Sequence, residues 1–87
     1  MKAEQWVAFL ARDPERELIA AIRVFSALLA VLGKRLRSEG EYEEIAENLS
    51  EAIFSLRVLR EIFGVGNLEV EERIQRKADG FPAEKGR

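Results

Sequence analysis

From Pro14 onward, apolar residues recur at alternating spacings of four and three: Leu18, Ile22, Phe25, Leu29, Leu32 and Leu36. That rhythm keeps them on one stripe of an α-helix. Asp13 before Pro14 supplies an N-cap followed by a proline at the first helical position. Glu15 and Glu17 suit the positive end of the helix dipole, and Lys34, Arg35 and Arg37 suit its negative end. The pattern predicts a helix over about 14–37. After Ser38-Glu39-Gly40 the rhythm resumes with Ile45, Leu49, Ala52, Leu56, Leu59 and Phe63, and stops at Gly64-Val65-Gly66. A second helix over about 41–63 is predicted. Two helices of nearly equal length joined by about three residues form an antiparallel hairpin.

Each long helix also carries a second apolar row. On the first it is Val24, Leu28 and Val31, roughly a quarter-turn from the main stripe, widened by Ala20, Ala21 and Ala27; on the second it is Phe54, Val58 and Ile62. One partner helix cannot cover both rows. Two flanking elements are available. Lys2 to Ala11, with Trp6, Val7, Phe9 and Leu10, reads as a short amphipathic helix. Asn67 reads as the N-cap of a last helix over about 68–78, which has only Leu68, Val70 and Ile74 to bury and is stopped by Gly80 and Pro82. Phe81 is placed to fold back onto the bundle, within a tail over about 79–87. The expected architecture is therefore all-α, one domain over 1–87, with two hairpins pairing into a four-helix bundle by dimerisation. The alternative is a monomer in which the first and last helices cover the second rows.

Composition narrows the chemistry. The 87 residues contain neither cysteine nor histidine, which removes disulfides, thiolate and imidazole metal ligands, and nucleophile-histidine mechanisms. Any metal has to be a hard cation held by carboxylates. Fourteen Lys/Arg against sixteen Asp/Glu leave no basic field to attract nucleic acid. The longest apolar-rich stretch, Leu18 to Leu32, is interrupted by Arg23 and Ser26, and no basic region precedes an apolar run near Met1. No signal peptide or membrane span is expected, and a soluble cytoplasmic protein is the default.

The acids are unevenly spread, with glutamates at 39, 41, 43, 44, 47 and 51 and no base among them. Glu44, Glu47 and Glu51 stand at i, i+3 and i+7, a spacing at which carboxylates can share a magnesium or manganese ion. Acids in the first turns of a helix also offset its dipole and solvate an exposed face, so the cluster has a plain structural explanation. Glu47 and Glu51 lie on the helical side of Phe54, Val58 and Ile62, and if that row is buried they need a cation, for which Arg23 is the candidate. On the last helix, Arg73, Arg76 and Lys77 form a group able to hold phosphates or simply to solvate a face. No catalytic residue is assigned.

The run from Leu59, "LREIFGVGNLEVEERIQRKADGFPAEKGR", resembles the C-terminal part of MazG-like nucleoside triphosphate pyrophosphohydrolases. The matching order is a long helix ending in glycine, a short helix with spaced basic residues, and a closing aromatic-Pro-x-Glu-Lys segment. Gly64, Leu68, Arg73, Ile74, Arg76, Phe81, Pro82, Glu84 and Lys85 fit it. About a third of the chain is covered. The resemblance implies an all-α oligomer, a nucleotide ligand, and a magnesium or manganese site built from EExxE and ExxD motifs on two long helices.

The chain departs from those motifs. In the register set by the tail, ExxD falls on Asn48-Leu49-Ser50-Glu51, and "VFSALLAVLG", where EExxE belongs, contains no acid. A second register places EExxE on 43–47 and ExxD on 69–72, but leaves no helix to follow the second motif. The implied function is a divergent MazG-like protein with a degenerate or inactive hydrolase site, using Glu44, Glu47 and Glu51 for metal and Arg73, Arg76 and Lys77 for phosphate where anything is retained. The alternative is an unrelated helical oligomeric interaction or regulatory protein without catalysis.

Overall fold

A computed structural model describes residues 1–81 of the chain; Pro82, Glu84 and Lys85 of the closing segment lie outside the described residues. The described chain is all-helical: α1 (Ala3–Leu10), α2 (Pro14–Leu36), α3 (Tyr42–Phe63) and α4 (Asn67–Asp79). Asp13 caps α2 by accepting from the Arg16 N–H at 3.4 Å, ahead of Pro14 at the first helical position. Gln5 accepts from the Lys2 N–H at 2.7 Å and closes the first turn of α1.

The connection between the long helices is set by backbone geometry. Ser38 adopts φ 62° just past the end of α2; its N–H returns to the Arg35 carbonyl, and the Glu39 N–H returns to that of Lys34 at 2.9 Å. This is a Schellman closure with serine where glycine is the residue without penalty. Gly64, at φ 67°, ends α3 in the same way, with the Val65 N–H returning to the Arg60 carbonyl. Across the hairpin's closed end Lys34 Nζ meets Glu44 Oε2 at 2.9 Å.

α2 and α3 make the main tertiary contact, and α1 packs on α3. The seam of the hairpin leaves the six-residue stripe of α2 and takes only the Ala52 side of the stripe of α3. On α2 it falls on Ala21 and Val31, both buried, with Val24 and Leu28 half-buried between them, and on α3 it falls on buried Ala52, with Ile45 and Leu59 half-buried on the same side. At 100° per residue, the Leu18–Leu36 row lies about 110° around α2 from the seam. Leu49, Ile53, Leu56 and Phe63 lie in the same rotational sense around α3 from its own seam, and nearer to it. Because the helices run antiparallel, rotations of the same sense bring both rows to one side of the hairpin. The Lys34–Glu44 bridge and α1 occupy the opposite flank, where Val7 is buried and Phe54 and Ile62 are half-buried beside Val58. The second row of α3 is thus covered by α1, as in the monomeric alternative, while of its first row Ala52 is buried, Ile45 and Leu59 are half-buried, and Leu49, Leu56 and Phe63 are left exposed together with Ile53.

α4 contributes no buried residue, and Leu68, Ile74 and Phe81 are all more than half exposed. Phe81 does not fold back onto the bundle. Asn67 is the first residue of α4 rather than its cap, because the Arg60 guanidinium holds its side-chain oxygen while Gly66 takes the cap position. The radius of gyration is 15.9 Å, against about 12 Å for a compact domain of this length.

The left-handed serine yields a direct expectation. Ser38→Gly raises stability by about 1 kcal/mol, measured by urea unfolding at fixed protein concentration, since it removes the Cβ penalty at that φ. A loss of stability would show that the Ser38 side chain, not the backbone, secures the turn.

Candidate functional site

Three regions carry side chains able to act: the acidic flank of α3, the basic surface of α4, and the open apolar face of the hairpin. On α3, Glu44, Glu47 and Glu51 share one flank, continuous with Phe54, Val58 and Ile62 further along. α1 packs against the apolar part of that flank, and Glu47 and Glu51 are exposed. They do not point into a buried interface end within the chain, and none of the ion pairs among the described residues joins them to Arg23, which is itself exposed.

Glu44 is half-buried, and its carboxylate is committed to Lys34. Asn48, at the start of the tail-register ExxD, donates its amide to the Glu44 carbonyl at 2.8 Å, a local helix contact. Among the described residues no three acids gather closely enough to hold a metal ion. Among the described residues of a single chain, Glu44, Glu47 and Glu51 are therefore not gathered for a magnesium or manganese ion: Glu44 has a cation already, and the other two are exposed.

Arg73, Arg76 and Lys77 do come together. They line a shallow depression of about 260 Å³ on α4, with the Arg73 Nε bound to Glu69 Oε2 at 3.0 Å. A second groove, about 640 Å³, runs between α1, the end of α3 and the start of α4, lined by Glu4, Val7, Arg57, Arg60, Glu61 and Asn67. The sequence reading had no reason to single out Arg57 and Arg60. The signal available was Arg60 one turn before Gly64, where a guanidinium can reach the free carbonyls of the helix end; it donates to the Val65 carbonyl at 3.3 Å.

The open face is the largest of the three. Leu18, Ile22, Leu29, Leu32 and Leu36 on α2, and Leu49, Ile53, Leu56 and Phe63 on α3, are each at least 40 % exposed. At roughly 100 Å² apiece, they display on the order of 900 Å² of apolar surface. The largest patch on a typical monomer is about 300–600 Å². No charged residue interrupts the α2 row between Leu18 and Leu36; on α3, Arg60 falls between Leu56 and Phe63, its guanidinium held by the Val65 carbonyl and Asn67.

No family model matches the chain, no curated protein matches it, and no solved structure matches it. No helix among the described residues is long and apolar enough to cross a membrane.

The Glu44 carboxylate serves the hairpin end, and its removal measures that role. Glu44→Gln lowers stability by no more than about 1 kcal/mol at low ionic strength, and the loss fades in high salt, as for a solvent-accessible ion pair. A larger, salt-independent loss in urea unfolding would contradict this assignment.

Proposed function

We propose that this chain is a self-associating, all-helical interaction protein of the cytoplasm, in which two copies pair their open faces into a four-helix bundle and the acidic flank performs no chemistry. The observation that supports it is the row of exposed leucines, isoleucines and phenylalanine on one side of both long helices, interrupted by charge only at Arg60. Its area, on the order of 900 Å², is close to the about 800 Å² that each partner brings to a stable interface. Equal helix lengths favour self-pairing, since either two-fold axis that sets face on face leaves each long helix antiparallel to the one it meets. Light scattering after gel filtration then gives twice the 9.9 kDa of the chain. A mass of one chain across micromolar concentrations would refute the pairing.

The C-terminal elements favour a second reading, descent from the MazG-like pyrophosphohydrolases with an impaired or absent site. What supports it is the order of a long helix closed by a left-handed Gly64 and a short α4 that gathers Arg73, Arg76 and Lys77 around one depression. On this reading a nucleotide binds α4 through its phosphates, and magnesium or manganese accompanies it only where Glu44, Glu47 and Glu51 act together. The first reading expects no release of pyrophosphate from nucleoside triphosphates with either metal, and the second expects little or none. Turnover that disappears in Glu47→Gln and Glu51→Gln variants would replace them with an active hydrolase.

A further inference from the structure

The distribution of side-chain size across the hairpin carries a consequence for folding. The buried residues are Val7, Ala21, Val31, Ala52 and Val58, and no large side chain is fully buried among the described residues. The seam uses alanine and valine, while most of the leucine, isoleucine and phenylalanine surface faces outward. Apolar stabilisation scales with area removed from water, so the larger part of what this sequence can gain lies on the face that a single chain leaves wet. A hairpin is one layer of helices, and a stable core needs a second layer against it. Helices of this length owe most of their stability to packing of an apolar face rather than to propensity. The dimensions, 44 × 34 × 23 Å with a radius of gyration of 15.9 Å, exceed those of a compact domain of this length.

We propose that folding of this chain is coupled to its self-association, so that the hairpin is stable only while a second copy covers the Leu18–Leu36 and Leu49–Phe63 rows. The inference rests on the pairing proposed above and goes further, because a folded monomer able to dimerise would satisfy the pairing alone. The second copy is the occupant that the face itself specifies: its area matches what each partner of a stable interface contributes, and its one charge, Arg60 near the end of α3, is engaged within its own chain by the Val65 carbonyl and Asn67.

The test follows helix content of the full chain by circular dichroism through thermal melts over a hundredfold range of concentration, with mass measured by sedimentation at the same concentrations. Coupled folding shifts the midpoint upward by roughly 8 °C per hundredfold increase. A variant with Ile22→Glu and Leu29→Glu, both at positions about two-thirds exposed in the single chain, loses cooperative melting and becomes an unfolded monomer. Ser26→Glu, on the outer side of α2, melts as the parent does. A dimeric parent whose double variant is a cooperatively melting monomer overturns the coupling and leaves the pairing intact. A parent that is monomeric and melts at a midpoint independent of concentration overturns both. Equal damage from Ser26→Glu would assign the loss to α2 generally and overturn the role given to the face.

Discussion

Two helices can bury only one stripe each against one another, and this geometric limit governs the rest of the molecule. Here the stripes chosen for mutual contact are the narrow ones. Ala21, Val31 and Ala52 are buried at the α2–α3 seam, and the exposed leucines of both helices are turned to a common side. α1 then attends to the opposite flank of α3, where Val7 and Val58 are buried, and α4 stands apart. A chain arranged in this way has its strongest cohesive surface on the outside.

The same limit bears on the chemistry. An acidic site able to hold a metal needs its carboxylates brought together and partly desolvated, which requires an element packed over them. α1 is only eight residues long, and the part of the α3 flank that is buried carries Val58 rather than Glu47 and Glu51. The acids remain where the helix dipole and water favour them. On α4 the cations are gathered but fully displayed, one of them already engaged by Glu69. The residues best placed to recognise anything are thus apolar.

Much of this was legible in the amino-acid order. Asp13-Pro14, the spacing of the leucines, the glycines at 64 and 66 and the short connection at 38–40 are local signals, and local physics decides them. The doubled rows were legible too, but not which row would form the seam, because both repeat at the helical period. On α2 it is the row with more alanine and valine that forms the seam. Asn67 misleads as a cap because its amide oxygen is claimed by Arg60, a contact seven residues away that no local pattern encodes. The acidic group was legible as a cluster and not as a site, since Lys34 reaches Glu44 only once the hairpin has closed.

The only tryptophan of the chain lies on α1, its indole edge-on to Phe9 with ring centroids 5.9 Å apart, while Arg12 sits over the Phe9 ring. α1 occupies the flank opposite the open face, so this indole is remote from whatever meets the leucine rows. Intrinsic fluorescence therefore reads the seating of the N-terminal helix, and follows the meeting of two hairpins only through the folding that accompanies it.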